Sequence, residues 1–360
     1  MDKRISPFTR TPGIAGNALI DTHSSDSVIA NFESEESYKY VYKIVGLRGS
    51  GKSVEYSLVL NHFRGNKNWL VYSLSAGGNP VQTLIAELSK EQFINNKVVS
   101  HSLGGRASAE GSIVALSASA DINSSITIEE NDRYYSDESE LKKMLVKATE
   151  KGYRILIGVD DISKTDEMVR FLSILGDVLM ENKIDVRFIC TGLSKNIEDF
   201  VSVPHLSFFV RSDSVLMKPL DYHSIAKKYR QLLDITHEDA VNLALFTKGY
   251  AYGYQVLGEL CFKYNKSVID DEIETEFDEN IGPQYDLIWS TLTESEKELT
   301  KIIVNVESGA VSEIKSKMKK NASFASLRDR LKKKHVVVDP NRGFVEVPLP
   351  RFREYVNLWH

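Results

Sequence analysis

The first two thirds of the chain alternate between short apolar runs and segments in which apolar residues recur every three or four positions. The runs predict β-strands, and the spaced positions predict amphipathic helices. Asn79 is a helix-capping residue type at the start of one such segment, and Gly152 ends another. Because strands that alternate with helices form right-handed βαβ units, the pattern predicts a mainly parallel sheet covered on both faces. The predicted strands are residues 40–45, 69–74, 154–159, 186–190 and 215–217.

Past Pro219 the strand pattern stops, and the sequence predicts mostly helices. Residues 222–264 predict several helices that would form a small lid. Near Pro283 a third region begins, in which three helices precede a hairpin that turns at residues 339–343. Three helices and a hairpin are the arrangement of a winged helix. The predicted organisation is an α/β nucleotide-binding domain over residues 1–220, a helical lid over 221–280 and a winged-helix domain over 281–360.

One stretch of the α/β part breaks its pattern. From about Val98 to Tyr135 the sequence is rich in Ser, Ala and Gly, and we interpret it as an insertion, either a hairpin of short strands or a mobile segment. Asp137 and Glu140 have the spacing of a capping box, so the next helix is predicted to begin there and to continue to about Lys151.

Composition excludes several classes of protein. Of 360 residues, 42% are hydrophobic and 26% are charged, which is the balance of a globular chain with a packed core. Two cysteines, Cys190 and Cys261, can build neither a disulfide framework nor a cysteine-rich zinc site, so we expect a reducing, cytoplasmic environment. The start of the chain lacks the apolar core of an export signal, and no apolar stretch approaches the roughly 20 residues that span a bilayer. We therefore expect no membrane anchor.

The formal net charge of -5 hides an uneven distribution. Residues 315–354 contain twelve Lys or Arg and four acids, a net charge of +8, so the rest of the chain carries -13. Opposite charges on two parts of a chain indicate two domains with different partners.

The strongest motif is an unbroken G-x-x-x-x-G-K-S sequence at residues 46–53, between a predicted strand and a predicted helix. Its glycines let successive backbone N–H groups turn toward phosphate oxygens, and the dipole of the following helix adds a favourable field. Lys52 is placed to reach the β- and γ-phosphates, and Ser53 to offer its hydroxyl to Mg²⁺. The motif therefore predicts ATP and Mg²⁺ as ligands. The predicted nucleotide-binding residues are Gly46, Arg48, Gly49, Ser50, Gly51, Lys52 and Ser53.

A pair of acids, Asp160 and Asp161, ends the apolar run that starts at Arg154. An acid at the end of such a strand can hold Mg²⁺ through water, and Asp160 is predicted to do so beside Ser53. The next position is suited to orient or deprotonate the attacking water, and Asp161 stands there in place of the usual, longer Glu. Alone, an Asp-Asp strand end is also typical of a capped loop. Together with the phosphate loop it predicts ATP hydrolysis.

The order of the strands adds two further candidate features. One predicted strand lies between the two motifs and another follows them, which is the order of P-loop ATPases with a strand inserted beside the phosphate-loop strand. The strand ending at Cys190 would bring Thr191 or Ser194 near the γ-phosphate as a sensor, although a simple turn explains these residues equally well. Arg211, just before the last strand, is a candidate arginine finger toward a neighbouring subunit, and a solvated arginine is the alternative.

These motifs resemble those of AAA+ ATPases of the archaeal-ATPase and origin-recognition type. The similarity includes the phosphate loop, the Asp-Asp strand, the sequence MKPL at 217–220 and the sequence GYAYGYQVLG at 249–258, and it covers most of the chain. The segment from Pro7 to Gly16 resembles the one that lies on the adenine side in that family. The resemblance implies ATP held between the sheet domain and a helical lid, with Arg211 supplied across an oligomer interface.

Two departures from the family pattern concern the same site. The Arg that commonly follows Gly16 is Asn17 here, and the second-sensor Arg expected in the helix after Gly249 is absent. The positions nearest to that Arg are Tyr252 and Gln255. The departures imply that ATP binds while hydrolysis is slow or depends on a partner.

The basic C-terminal region is a candidate interface for duplex DNA. A winged helix presents its third helix to the major groove and its hairpin to the backbone, and basic residues there neutralise phosphates. A protein-docking role and a solvated basic face are the alternatives. The candidate DNA-binding residues are Arg328, Arg330, Lys332, Lys333, Lys334 and Arg342.

Two functions therefore remain open from the sequence. In the first, an AAA+-type ATPase uses its nucleotide state to control how the winged helix engages DNA or a protein partner. In the second, a slow or non-hydrolysing nucleotide switch responds to a protein partner and does not bind DNA.

Overall fold

The central feature of the fold is one parallel sheet of five strands. The computed structural model of the chain describes residues 5–14, 16–95, 126–181, 184–319 and 323–360, and for residues 95 and 126–136 it describes the backbone alone. The strands are β1 (Val41–Val45), β2 (Trp69–Ser75), β3 (Arg154–Asp160), β4 (Val186–Gly192) and β5 (Asp213–Leu216).

The strand order is β2-β3-β4-β1-β5, and each neighbouring pair is parallel. The predicted strands are confirmed, and β4 lies between β1 and β3, as expected for a strand inserted beside the phosphate-loop strand. Parallel strands all end at the same edge of a sheet. The end of β1 leads into the phosphate loop. The loop therefore lies close to Asp160, the last residue of β3, and to Thr191, the second-last residue of β4.

Helices cover both faces of the sheet and make up most of the remaining described chain. Among the described residues, no helix is both long enough and apolar enough to cross a membrane. The helices are α1 (Asp26–Glu33), α2 (Lys52–Arg64), α3 (Pro80–Leu88), α4 (Gln92–Asn95), α5 (Ile126–Glu150), α6 (Asp166–Met180), α7 (Ser194–Glu198), α8 (Ser207–Arg211), α9 (Tyr222–Leu233), α10 (His237–Phe246), α11 (Ala251–Tyr264), α12 (Asp271–Ser290), α13 (Glu294–Val304), α14 (Val311–Lys317), α15 (Phe324–Lys333) and α16 (Phe352–Trp359).

Alternate residues of the central strands face different helical layers. Ile189 of β4 belongs to a core formed with α1 and α2, whereas its neighbour Phe188 belongs to a core formed with α3, α5 and α6. All seven residues of β4 are buried. A strand buried on both faces is mostly apolar, which is why the sequence shows largely apolar runs here and not a regular alternation; in β4 the buried exceptions are Arg187 and Thr191.

The start of α5 differs from the prediction. The helix predicted to begin at Asp137 begins at Ile126, so Asp137 lies well inside it and does not cap it. The Asp137 carboxylate instead accepts a hydrogen bond from the side chain of Gln82 on α3. Residues 126–135 of the predicted insertion are thus helical, and its part at 98–125 lies outside the described residues.

The lid helices and the C-terminal region share one apolar core, which includes Tyr229, Tyr254, Tyr285 and Phe352. Helix α12 continues through Pro283 and crosses the expected boundary between residues 280 and 281. The two regions are therefore joined by a continuous helix.

The C-terminal region contains the three predicted helices, α13 to α15. Thr293 and Glu296 form the predicted capping box at the start of α13, with both reciprocal hydrogen bonds present. The predicted hairpin has one antiparallel bridge between Val338 and Glu346, and Phe344 pairs with Ala310. Helix α16, which was not predicted, follows. The winged helix itself stays a prediction.

Candidate functional site

The phosphate loop runs from the end of β1 to the first turn of α2. Gly49 and Gly51 have φ angles of +73° and +94°, a backbone conformation that favours glycine. A Cβ on Gly49 would also collide with Tyr250 Oη. Among the described residues, the backbone N–H groups of Gly49, Gly51, Lys52 and Ser53 in this loop have no hydrogen-bond acceptor. Unpaired N–H groups at a helix N-terminus are the partners that a phosphate group requires.

Lys52 is buried in the loop, with 8% of its surface exposed. Its ammonium donates to two carbonyl oxygens, Gly46 O at 3.2 Å and Leu47 O at 2.9 Å. Burial lowers the pKa of this ammonium to about 8, and the nearby Asp161 carboxylate opposes the shift. A partly desolvated cation beside unpaired N–H groups favours the binding of a polyanion.

Two hydroxyl groups donate to the same oxygen of Asp160. Ser53 Oγ lies 3.1 Å from Asp160 Oδ1, and Thr191 Oγ1 also donates to that atom. The Thr191 oxygen accepts in turn from the backbone N–H of Asp161 at 2.8 Å. The structure thus brings the predicted metal ligands Ser53 and Asp160 together and adds Thr191 to them. A hydroxyl beside a carboxylate supplies oxygen ligands of the kind that Mg²⁺ takes.

Asp161 directly follows β3 and has a positive φ of +54°. Its half-exposed carboxylate lies 3.8 Å from Nη2 of Arg48, and both residues line the same cavity as Lys52. The contact places a guanidinium from the phosphate loop beside the acid predicted to act on water.

A cavity of about 340 Å³ opens beside the phosphate loop. Its polar lining includes Lys52, Asp160 and Thr191. Apolar side chains from the N-terminal segment, the end of β5 and the lid line another part of it, namely Ile14, Leu19, Ile20, Met217 and Leu220. A cavity with a cationic, N–H-rich part and an apolar part matches a nucleotide, which has anionic phosphates and a flat base.

The N-terminal segment is held against the lid helix α11. Phe8 is buried, with its ring edge-on to Tyr254, and a Cβ on Gly258 would collide with it. The Thr9 N–H donates to Gln255 Oε1 at 3.0 Å. These contacts bring residues 9–14 into the cavity lining.

Helix α11 begins directly on the phosphate loop. The Tyr252 N–H donates to Gly49 O at 2.9 Å, and Tyr250 Oη donates to Arg48 O at 2.8 Å. Gln255, the other position nearest to the expected second-sensor Arg, is occupied by its bond to Thr9. Among the residues that the structure describes, the start of α11 therefore contacts the loop through backbone and phenol groups and supplies no cation there.

Thr22 and Glu55 line the cavity and were missed by the sequence analysis. Glu55 is 3% exposed, and its Oε1 accepts from Thr22 Oγ1 at 2.6 Å. The other carboxylate oxygen, Oε2, is buried and has no hydrogen-bond partner. The available signal was an acidic residue three positions after Lys52, in the first turn of a helix that packs on an apolar sheet.

Two residues predicted to act on the nucleotide, Ser194 and Arg211, are not among the described residues that line this cavity. Ser194 begins α7, and its Oγ lies 3.0 Å from His335 Nε2 in the C-terminal region. Of the two sensor candidates, Thr191 is the one that contacts Asp160.

Arg211 is exposed at the end of α8, beside the edge strand β5. Buried Lys43 of β1 donates a hydrogen bond to Phe209 O at 2.6 Å and so connects α8 to the strand before the phosphate loop.

The predicted DNA-binding residues mostly face acids of the chain itself. Lys334 is the least exposed of the paired cations, and its ammonium donates to the buried carboxylate of Glu296 at 2.6 Å and to Thr291 O at 2.8 Å. Arg342 is exposed in the turn after Asp339. Internal pairing leaves less charge available to DNA phosphates than the residue count suggests. The pairs are Arg328–Asp329, Arg330–Glu296, Lys332–Asp339, Lys333–Glu198 and Lys334–Glu296.

Comparison with solved structures finds this fold in proteins of very different sequence. A Walker-type ATPase of Pyrococcus abyssi is similar over 98% of this chain and 99% of that chain, with a TM-score of 0.60 and 13% identity. The ORC2 protein of Aeropyrum pernix, solved as ADPNP-ADP complexes, is similar over 99% of this chain and 95% of that one, with a TM-score of 0.53 and 11% identity. No protein-family model matches the chain, and no curated protein sequence does. The predicted α/β fold, with a parallel sheet and many helices, is thereby confirmed as the fold that these two solved proteins have over nearly their whole length.

Proposed function

We propose that this chain binds ATP together with Mg²⁺ at the phosphate loop and hydrolyses the ATP. The observation that carries the proposal is the meeting of Ser53 and Thr191 on one oxygen of Asp160, beside the buried Lys52. A loop hydroxyl, a loop lysine and a strand-end acid are the parts with which P-loop proteins act on triphosphates. The fold shared with a Walker-type ATPase of Pyrococcus abyssi supports the same function.

The residues present suit both ligands. Mg²⁺, when bound, would neutralise part of the negative charge of the triphosphate. Ser53 and Asp160 would hold the ion, and Lys52 with the unpaired N–H groups of the loop would hold the phosphates. Thr191 orients the Asp160 carboxylate through its hydrogen bond. The apolar part of the cavity would take the base.

For hydrolysis, we assign the orientation and deprotonation of water to Asp161. Its backbone N–H donates to Thr191, which holds it one residue beyond the metal-binding acid. Thr191 is the sensor in this scheme, and Arg211 of a neighbouring copy is the arginine finger. Because the side chain of Asp161 is one methylene shorter than the usual Glu, and the expected second-sensor Arg is absent after Gly249, we expect slow turnover in the isolated chain.

The same scheme couples the nucleotide to the C-terminal region. Thr191 is followed within three residues by Ser194, which contacts His335. Farther along α7, Glu198 lies 3.8 Å from Lys333. A movement at Asp160 and Thr191 would therefore reach the C-terminal region through residues 191–198. In this way ATP binding would change how that region engages DNA or a protein partner.

A second function, a slow nucleotide switch that engages a protein and not DNA, is favoured by the internal pairing of the basic residues. DNA binding predicts an affinity that falls steeply with salt and weakens when Lys332, Lys333 and Lys334 are replaced by Gln. Binding of duplex DNA at several salt concentrations decides between the two. Salt-insensitive binding or no binding supports the protein partner.

The nucleotide site itself is tested by the affinity for ATP with Mg²⁺, measured by calorimetry. Lys52→Ala is expected to lower the affinity at least about tenfold, because it removes the lysine that reaches the phosphates in P-loop sites. Lys90→Ala is the matched control, since Lys90 is exposed and pairs with Glu87 away from the cavity. Equal affinities of the natural chain and Lys52→Ala would refute the proposal.

A further inference from the structure

The side chain of Arg48 is a second cation of the phosphate loop. It is 37% exposed, and its Nη2 lies 3.8 Å from Oδ2 of Asp161. Both residues line the nucleotide cavity beside Lys52. A separation of 3.8 Å is too long for a hydrogen bond, and among the described residues neither side chain has a hydrogen bond to another group. The pair is therefore held by charge alone, which is a weak contact where solvent has access.

The backbone of Arg48 is fixed although its side chain is not. Tyr250 Oη donates to Arg48 O at 2.8 Å, and Tyr250 is buried. The next residue, Gly49, accepts from the Tyr252 N–H at 2.9 Å and has no room for a Cβ beside Tyr250. These contacts hold the loop from the side of α11. A change in the partner of the Arg48 guanidinium would therefore need rotation of its side chain and no movement of the loop.

The position of the pair indicates which phosphate the guanidinium can reach. Asp161 follows Asp160, whose carboxylate accepts from the Ser53 hydroxyl at the proposed Mg²⁺ position. Burial lowers the pKa of Lys52, the charge of Asp161 opposes that shift and the charge of Arg48 adds to it, so both charged groups lie near the lysine ammonium. In P-loop sites this lysine reaches the β- and γ-phosphates. Arg48 and Asp161 thus flank the end of the site where a γ-phosphate would lie.

A γ-phosphate offers Arg48 a stronger contact than Asp161 does. It carries more negative charge than a carboxylate, and two of its oxygens can accept the parallel N–H groups of one guanidinium. The start of α11 presents no competing cation among the described residues, because Tyr252 and Gln255 stand near the expected Arg. The chemistry therefore favours an exchange of partners when a triphosphate enters the cavity.

We propose that on ATP binding the Arg48 guanidinium leaves Asp161 and donates to the γ-phosphate. The phosphate loop then supplies a cation where the start of α11 supplies none. The Asp161 carboxylate, released from the pair, becomes able to accept a hydrogen bond from water. ADP lacks the γ-phosphate, so with ADP the pair between Arg48 and Asp161 stays in place. This inference rests on the proposed function.

The first test compares a triphosphate with ADP. The affinities of the natural chain and of Arg48→Gln are measured by calorimetry, in the presence of Mg²⁺, for ADP and for the β,γ-imido analogue of ATP, which resists hydrolysis. We expect Arg48→Gln to weaken binding of the analogue about tenfold or more and to change the affinity for ADP less than about twofold, because only the γ-phosphate loses a charged donor. Arg48→Lys keeps the charge and should retain part of the preference for the analogue.

The second test separates contact with the γ-phosphate from neutralisation of Asp161. If Arg48 stayed beside Asp161 and only screened that carboxylate from the triphosphate, Arg48→Gln would lose its effect in the Asp161→Asn chain. If Arg48 moves to the γ-phosphate, the effect on the analogue persists there at about tenfold or more, because the contact does not need Asp161. A double-mutant cycle with the same two nucleotides measures the difference.

Arg230→Gln is the control, since Arg230 is exposed on α9 and is not among the described residues that line the cavity. It should leave both affinities unchanged. A ratio of analogue to ADP affinity that Arg48→Gln does not change, or an effect of Arg48→Gln that falls below about twofold in the Asp161→Asn chain, would overturn the inference. Failure of the natural chain to bind either nucleotide would instead overturn the proposed function.

Discussion

Thr191 and Asp160 lie at the carboxyl ends of the neighbouring strands β4 and β3, and the Thr191 hydroxyl donates a hydrogen bond to the Asp160 carboxylate. The same hydroxyl oxygen accepts from the N–H of Asp161 at 2.8 Å. One side chain therefore contacts both the acid proposed to bind the metal and the backbone of the acid proposed to act on water. We therefore predict that Thr191 is a positioning residue with two separable roles, one in stability and one in turnover.

Replacing Thr191 by Val keeps its shape and removes both hydrogen bonds. We expect a loss of about 1–3 kcal/mol in the free energy of unfolding, because a buried N–H and a carboxylate lose a partner. ATP turnover should fall at least about tenfold, while Thr191→Ser should retain most of both properties. Urea denaturation and a steady-state phosphate-release assay measure the two effects. A Val variant with natural turnover would show that Thr191 has no part in hydrolysis.

The pKa of Lys52 gives the affinity for ATP a dependence on pH. Burial lowers that pKa to about 8, and phosphates favour the charged ammonium, so the bound lysine holds its proton to higher pH than the free one. Affinity should therefore be constant below pH 8 and fall by up to about tenfold per pH unit above it. Calorimetric titrations between pH 6.5 and 9.5 test this. Lys52→Arg, which stays charged, should remove the dependence, and a fall that persists in this variant would assign it to another group.

The contact between His335 and Ser194 makes the docking of the C-terminal region sensitive to acid. Burial lowers the pKa of His335 below its ordinary 6.5, and the charge of Lys52 lowers it further. A histidine with a lowered folded pKa stabilises the docked state above pH 6.5, and this contribution is lost as the pH falls through the folded pKa. Hydrogen exchange of residues 335–349 should therefore accelerate at pH 5 relative to pH 7.

The matched control for this prediction is His335→Gln, which keeps a hydrogen-bonding group and cannot be protonated. Its exchange rates, corrected for the intrinsic effect of pH, should be similar at the two pH values. Equal acceleration in the natural chain and the Gln variant would mean that another group causes the opening.

Arg211 is predicted to act on the ATP of a neighbouring copy. It is exposed at the end of α8 and is not among the described residues that line the cavity. Arg211→Ala should leave the affinity for ATP unchanged and lower turnover by up to about 10³-fold, the contribution of an arginine finger. Turnover per chain should rise with protein concentration in the natural chain. Arg64→Ala, an exposed arginine on α2, serves as the control. Turnover that is independent of concentration and of Arg211 would exclude the finger.

The sheet and the phosphate-loop position were predictable because their determinants are local. The glycines at 49 and 51 permit the positive φ angles of the loop by themselves, and the apolar residues of the strands mark them as buried strands whatever they pair with. The start of α5 was not predictable from Asp137, since a residue type that caps helices also serves inside them when a partner such as Gln82 is available.

The contacts of the C-terminal region could not be predicted from the sequence, because they join residues that are far apart along the chain. Arg351 forms two hydrogen bonds with Asp278 on α12, at 2.6 Å and 2.7 Å, and His335 contacts Ser194 across 141 positions of the chain. Neither pair has a spacing that a sequence pattern reveals. Charge counting also overstated the basic patch, because it does not show that Lys334 is paired with the buried Glu296.

The proposed function depends on Ser53 and Asp160 holding Mg²⁺ for the hydrolysis of ATP. Phosphate release from ATP as a function of Mg²⁺ concentration, for the natural chain and for Asp160→Asn, tests this role. We expect saturable, Mg²⁺-dependent release by the natural chain, and in Asp160→Asn a rate lowered at least about tenfold with half-saturation at a higher Mg²⁺ concentration. Release by the natural chain that does not depend on Mg²⁺, or that is unchanged in Asp160→Asn, would show that these two residues do not hold a catalytic metal ion.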